Sequence, residues 1–185
     1  MSAEQRAQES AQVCQCVMAY LQKQGLSAGA TLALYSAFGT ELSLDDLLFD
    51  AEAAGWQLAM PCMILGNAGA QMEFVRVGAV HAQQRSLEFL AKPARALSPD
   101  ALQYYNVVDP QEIDVMLVPV VAIDAHNIRL GYGGGNYDRY LPKLKPNCIV
   151  VAVAFDEQRT EKVPHDEHDC AVPVLITASG ILYRK

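Results

Sequence analysis

The chain has 185 residues, 51% of them hydrophobic, and a formal net charge of -7. That length suits one domain with a full core, residues 1–185, and leaves too little for two comfortable ones. The acidic balance opposes a general affinity for nucleic acid or an anionic membrane, so any anionic ligand needs a focused site. Five cysteines, Cys14, Cys16, Cys62, Cys148 and Cys170, include no CxxC pair, and the odd count fits reduced thiols in a cytoplasmic setting. The opening MSAEQRAQES lacks a basic region followed by an apolar one, and nowhere do about 18 apolar residues run without interruption.

In chain order, residues from about Ala3 to Gln24 form an amphipathic helix, with Val13, Cys16, Val17, Tyr20 and Leu21 on one face. Thr31–Ser36 is a short buried strand. Ser43 then caps a second helix, with Asp45 and Asp46 in its first turn and Leu44, Leu47, Leu48 and Ala51 on its buried face. Trp56–Pro61 is a strand ending at its proline, and Met72–Val77 is another, joined to it as a hairpin through Gly66–Gly69. Ala91–Pro110, with three prolines, reads as a long surface excursion. Ile113–Ile123 is the strongest buried-strand signal, with its ladder ending at Pro119. Tyr137–Lys145 is a short helix from which Lys143 and Lys145 snorkel, followed by strands at Ile149–Phe155, Val172–Thr177 and Ile181–Arg184. Alternating helices and strands predict a three-layer α/β domain with a mostly parallel sheet and one antiparallel edge hairpin. Ligand loops in such sheets lie at the carboxyl ends of the strands.

The segment DAHNIRLGYGGGNYD, Asp124–Asp138, carries the clearest chemistry. Gly131, Gly133, Gly134 and Gly135 allow bare backbone N–H groups to approach an anion, because glycine has no Cβ and tolerates positive φ. Asn136 is placed to cap the following helix and aim its positive end at the same anion. Arg129 adds a fixed charge, and Asp138 is a candidate magnesium ligand bridging to phosphate oxygens. The spacing matches neither GxGxxG nor GxxxxGK[ST], and a tight strand-to-helix turn also accounts for a glycine cluster. Tyr132 and Tyr137 flank the loop, as stacking faces for a flat ring or as half-buried packing residues. In PHDEHD, residues 164–169, a magnesium ion shared with Asp138 fits better than zinc, and an exposed polar loop accounts for the composition as well. Glu41, past the first strand, is either a pocket residue or a solvated loop acid.

Together these residues resemble the 5-formyltetrahydrofolate cyclo-ligase family. The carrying motifs are LALYSAFGTELS, AMP, IDVMLVPVVAID, RLGYGGGNYDRYL, VAVAFDEQ and VPHDEHD, in matching order from about Thr31 to Gly180. The resemblance implies a Rossmann-like fold of the kind shared with sugar-phosphate isomerases and CoA transferases. It also implies ATP-dependent cyclisation of 5-formyltetrahydrofolate to 5,10-methenyltetrahydrofolate, in which the formyl oxygen is phosphorylated and N10 attacks. It assigns catalytic roles to Arg129 and Tyr137. ATP falls to Arg129, Leu130, Gly131, Tyr132, Gly133, Gly134, Gly135, Asn136 and Tyr137, the folate to Ser36, Glu41 and Tyr132 through Asn136, and Mg²⁺ to Asp138 and Asp169. The expected protein is a cytoplasmic monomer or weak homodimer, with no nucleic-acid or membrane partner. A folate- or nucleotide-binding homologue without turnover is the alternative. The family's basic N-terminal segment has no match in MSAEQR: either the start is short, or ATP affinity is reduced, or Arg6 compensates. Asn136 replaces a common aromatic, Cys62 a basic residue, and Val120 and Asn127 replace glycines.

Overall fold

The first helix, α1 (Ala3–Lys23), starts at a capping box in which the Ser2 hydroxyl accepts the Gln5 N–H and the Gln5 side chain accepts the Ser2 N–H. A computed structural model of the chain describes residues 1–66, 69–166 and 169–184. The apolar stripe of α1 is Val13, Cys14, Val17, Tyr20 and Leu21, so Cys14 takes the buried place expected for Cys16. After α1 come β1 (Thr31–Ala33) and α2 (Asp45–Ala53). The Ser43 hydroxyl accepts the Asp45 N–H at 3.2 Å, but the cap position itself falls on Leu44, one residue later than expected.

The chain continues through β2 (Gln57–Gly66), β3 (Gly69–Val77), α3 (Ala79–Gln84) and α4 (Glu88–Ala91). The expected hairpin forms, with Leu58 to Gly66 paired antiparallel to Val77 to Gly69; its tip, Asn67 and Ala68, lies outside the described residues. Contrary to expectation, β2 does not stop at Pro61. On the edge facing β1, the Ala59 carbonyl accepts the Leu34 N–H and the Met63 carbonyl accepts the Leu97 N–H. Pro61 points to that same edge between them, past the last paired residues of the two strands, Ala33 with Ala59. The Ala91–Pro110 segment is also more ordered than expected. It holds a 3₁₀ turn at Pro99–Tyr104 and a two-residue strand, β4 (Val107–Val108), paired with β3.

Next are β5 (Ile113–Pro119), a small ribbon of β6 (Ala122–Ile123) and β7 (Arg129–Leu130), α5 (Asn136–Tyr140), β8 (Ile149–Val153), β9 (Val174–Thr177) and β10 (Gly180–Tyr183). The ladder of β5 ends at Pro119 as expected. Among the described residues the main sheet has eight strands in the order β10-β9-β8-β5-β1-β2-β3-β4. Its five central strands are parallel, with antiparallel additions at both edges rather than one.

One face of the sheet is covered by α1 to α4, whose Leu21, Leu47, Leu48 and Leu90 pack on Leu32, Leu58 and Leu117. The other carries α5, with Tyr140 tilted on Phe74 at 4.9 Å between ring centres, and the β6–β7 ribbon, with Ile123 over Ala152 and Leu175. A register shift between Thr31 and Leu32 leaves Asp114 unpaired in the ladder, and its carboxylate takes the Thr31 N–H and the Lys145 ammonium. Lys145 is therefore an ion-pair partner and not a snorkelling surface residue.

The topology fixes where a ligand can sit. The chain moves from β1 to β2 in one direction and from β5 to β8 and β9 in the other, so the reversal falls between β1 and β5. Loops leaving the carboxyl ends of those two strands diverge and open a crevice between them.

Candidate functional site

A cleft of about 640 Å³ occupies that crevice. Glu41 comes to it from the loop after β1, and Pro119, Val120 and Val121 from the end of β5. The ribbon and the glycine loop contribute Arg129 through Arg139, and the segment before β9 contributes Pro164, Asp166 and Asp169. The cleft thus brings Glu41, Arg129, Leu130, Gly131 to Gly135, Asn136, Tyr137, Asp138 and Asp169 together. Ser36 is not among its lining residues. Glu167 and His168 lie outside the described residues.

The glycine loop needs its glycines at two positions, Gly133 with φ 84° and Gly135 with φ 59°, where a side chain would be strained. Gly135, not Asn136, is the cap residue of α5, and Asn136 is the first residue of the helix proper. Because α5 has only five residues, its dipole is small, and an anion placed here would meet the loop N–H groups and the charged side chains instead. Asn136 instead accepts a bond from the Arg139 guanidinium at 2.7 Å, and the same Nη2 donates to the Gly134 carbonyl at 2.8 Å.

Arg129 is 7% exposed and donates through Nη2 to Asp138 Oδ1 at 2.7 Å. The same carboxylate oxygen accepts the Cys170 N–H at 3.2 Å, which ties the segment before β9 to the glycine loop. Arg129 Nε is buried with no hydrogen-bond partner among the described residues. Its carbon lies 5.8 Å from the centre of the Tyr137 ring. Burial, with the Glu41 charge adding, pushes the Tyr137 phenol well above its usual range, so it is a neutral hydrogen-bond donor at physiological pH. Tyr132 is 73% exposed and presents an open ring face to the cleft.

Glu41 accepts the Phe38 N–H at 2.8 Å, and burial raises its carboxyl above the ordinary glutamate value despite that bond. Beneath the loop, Asp124 is 4% exposed and accepts the His126 and Ile128 N–H groups on one oxygen and the Val163 N–H on the other. Burial alone would raise its carboxyl, but the donors from Ile128, Val163 and His126 outweigh that and hold it below the usual range. Asn127, where the family resemblance expects glycine, takes a φ of 56°, which asparagine tolerates. Gln158 spans from the end of β8 to Val120 and Val121, donating to both carbonyls.

The cleft wall carries four carboxylates, Glu41, Asp138, Asp166 and Asp169, against two arginines, Arg129 and Arg139. Carboxylate oxygens are the donors a hard cation takes, and Asp138 Oδ2 has no hydrogen-bond partner among the described residues. No group of three or more His, Cys, Asp or Glu side chains forms a cage among the described residues. Two carboxylates could hold Mg²⁺ here if phosphate oxygens and water supplied its other ligands. Arg6 lies in an adjoining concavity with Thr40, Glu41, Tyr132 and Arg159, and its Nη1 donates to the Met1 carbonyl at 3.0 Å. None of the five cysteines forms a disulfide, and no described helix is long and apolar enough to cross a membrane.

Arg139, Asp124 and Gln158 carry this geometry yet were not among the sequence candidates. Arg139 follows Gly135 by four positions, the spacing at which a helical side chain reaches back to the preceding turn, and that spacing was its available signal.

A sequence model of the 5-formyltetrahydrofolate cyclo-ligase family matches residues 1–178. The 5-formyltetrahydrofolate cyclo-ligase of Escherichia coli K12 is 31% identical over 156 residues, which cover 82% of this chain and 79% of that protein. That of Haemophilus influenzae is 36% identical over 69 residues, 37% of each chain. The solved 5,10-methenyltetrahydrofolate synthetase of Aquifex aeolicus superposes with a TM-score of 0.73 at 25% identity, covering 100% of this chain and 86% of that one. The synthetase of Mycoplasma pneumoniae gives 0.73 at 21% identity over 96% and 90%, which extends the likeness of fold.

Proposed function

Because the chain belongs to the 5-formyltetrahydrofolate cyclo-ligase family, we propose that its cleft converts 5-formyltetrahydrofolate and ATP to 5,10-methenyltetrahydrofolate, ADP and phosphate. The observation that carries this reading is the convergence of Arg129, the glycine loop, Asp138, Asp169 and Glu41 on one cleft at the sheet's topological switch point. Residues 1–185 act as one domain in this reading, as a cytoplasmic monomer or weak homodimer that binds neither nucleic acid nor membrane.

The formyl oxygen attacks the terminal phosphorus of ATP, and the bond to ADP breaks. N10 of the folate then attacks the activated carbon, loses its proton, and the oxygen departs with phosphate. Such phosphoryl transfer depends on position and on neutralised charge more than on a protein nucleophile. Arg129, fixed by Asp138 at the wall of the cleft, sets a positive charge beside the developing negative charge. The neutral Tyr137 donates a hydrogen bond, and the loop of Gly131 to Gly135 lets phosphate approach the backbone. Tyr132 offers a face to the flat pterin ring, and Glu41 a carboxyl to its N–H groups.

Asp138 and Asp169 are the residues to hold Mg²⁺, which when bound supplies positive charge to the phosphate oxygens. The excess of carboxylates over arginines in the wall supports that assignment, since a triphosphate would otherwise face net negative charge. A second reading, ligand binding without turnover, draws on Arg6, whose bond goes to the Met1 carbonyl, and on Asn136, held by Arg139.

The test mixes the protein with 5-formyltetrahydrofolate, ATP and Mg²⁺ and follows methenyl-folate absorbance. Turnover that stops when the metal is chelated is the expected result. Folded protein that binds both ligands without turnover overturns the first reading in favour of the second.

A further inference from the structure

The glycine loop holds two positive-φ residues in three positions, and a backbone so permissive samples many conformations unless something holds it. Arg139 is in position to do so. Its Nη2 donates at once to the Gly134 carbonyl at 2.8 Å and to Asn136 Oδ1 at 2.7 Å, and its backbone N–H donates to the Gly135 carbonyl at 3.1 Å. Its Nη1 lies 2.9 Å from where a Cβ on Gly135 would stand, so the guanidinium rests directly against that face of the loop. Among the described residues no carboxylate pairs with it, in contrast to Arg129. Asn136 is drawn into the same fork, with its Nδ2 3.3 Å from where a Cβ on Gly134 would stand.

We propose that Arg139 and Asn136 form a clamp that fixes the glycine loop in its anion-receiving conformation, making Arg139 a positioning residue for the ATP phosphates. The proposal rests on the cyclo-ligase reading for its substrate, but not for the clamp itself. Preorganised donors bind a phosphate without first losing loop entropy, so releasing the clamp weakens ATP binding more than it slows chemistry. Both bonds leave one nitrogen, Nη2, which stands one bond farther from the backbone than a lysine Nζ; a lysine keeps the charge and falls short of the two acceptors.

The experiment compares wild type with Arg139→Met, Arg139→Lys, Asn136→Ala and the double variant Arg139→Met/Asn136→Ala. In Arg139→Met the KM for ATP rises about three- to tenfold with kcat changed by less than about threefold, the loss of solvated but charge-assisted bonds. Asn136→Ala gives a smaller rise in the same parameter. The double variant is no worse than Arg139→Met, because both changes break one device. Arg139→Lys does not rescue. Hydrogen exchange without ligand shows faster exchange at the amides of residues 133–137 in Arg139→Met and unchanged exchange in β5 and β8.

Rescue by lysine, or effects that multiply in the double variant, overturns the clamp in favour of a simple charge. Unchanged loop exchange also overturns it. If no variant or wild type turns over the folate, the exchange data and calorimetric ATP affinities still decide the clamp, so its failure is separable from that of the cyclo-ligase reading.

Discussion

Replacing Asp138 with asparagine isolates one term in the site. The side chain keeps its shape and an acceptor oxygen for Arg129 Nη2 and the Cys170 N–H, so the loop keeps its path. What disappears is the negative charge beside a guanidinium whose side chain is 5% exposed. Two unit charges about 4 Å apart at an effective dielectric of ~20 attract by about 4 kcal/mol. Leaving the arginine buried without its counter-charge, but still hydrogen-bonded, costs about 2 to 4 kcal/mol of folding stability. For a chain of this size, about 3 kcal/mol lowers Tm by about 6 to 12 °C. Thermal unfolding followed by circular dichroism at neutral pH reads that drop. The double variant Arg129→Met/Asp138→Asn, which removes the stranded charge, regains at least about half of it. Cyclisation by the single variant falls at least about a hundredfold, the scale of losing a charge partner at a transferring phosphoryl group. A Tm drop below about 2 °C, with no recovery in the double variant, would refute a buried and energetically coupled pair.

Two further outcomes follow from the carboxylates. The Glu41 carboxyl sits above its ordinary value in the folded protein, so its contribution to stability is complete below the usual glutamate range and is lost as pH rises through the raised value. Glu41→Gln is therefore more stable than wild type near pH 7 in urea titrations, with the difference gone below about pH 4; a pH-independent difference contradicts the assignment. Asp124 has the opposite sign: its lowered value makes its contribution present above the usual aspartate range and lost as pH falls through the folded value. Asp124→Asn loses the Val163 bond and a charge shared by three donors, costing about 2 to 4 kcal/mol at neutral pH, and urea titrations show that gap narrowing below about pH 4.

The parts of the fold legible in the sequence were those set by local periodicity. The stripe of α1, the hairpin of β2 and β3, the end of β5 at Pro119 and the last strands followed from patterns a few residues long. What was not legible depended on distant neighbours. Pro61 passes through β2 only because β1 stops at Ala33, and no reading of Trp56–Pro61 alone reveals where a strand twenty-odd residues earlier ends. The strand Val107–Val108 exists because β3 has a free edge to accept it, too short a signal to stand out between prolines. In the cleft, the glycine loop, Arg129, Asp138, Asp169 and Glu41 were visible by residue type and motif. Asn136 was misassigned as a cap because the positive φ at Gly135 shifts the helix start by one residue. Ser36 was expected in the pocket and lies outside its lining, since β1 ends early and the chain turns away before Glu41 returns to the cleft.

The stitching of the glycine ribbon to the segment before β9 has a consequence for the order of assembly. Ile123 and Asn127 accept the N–H groups of Thr160 and Val172, Asp124 that of Val163, and Asp138 that of Cys170. Every one of these partners is made after the ribbon during synthesis, by 32 to 45 residues. A nascent chain that has released β1, β5 and the glycine loop holds the motif but not the closed cleft, because Pro164, Asp166 and Asp169 of its wall and the Val163 and Cys170 bonds to Asp124 and Asp138 are still to come. The cleft is therefore among the last features of the molecule to close.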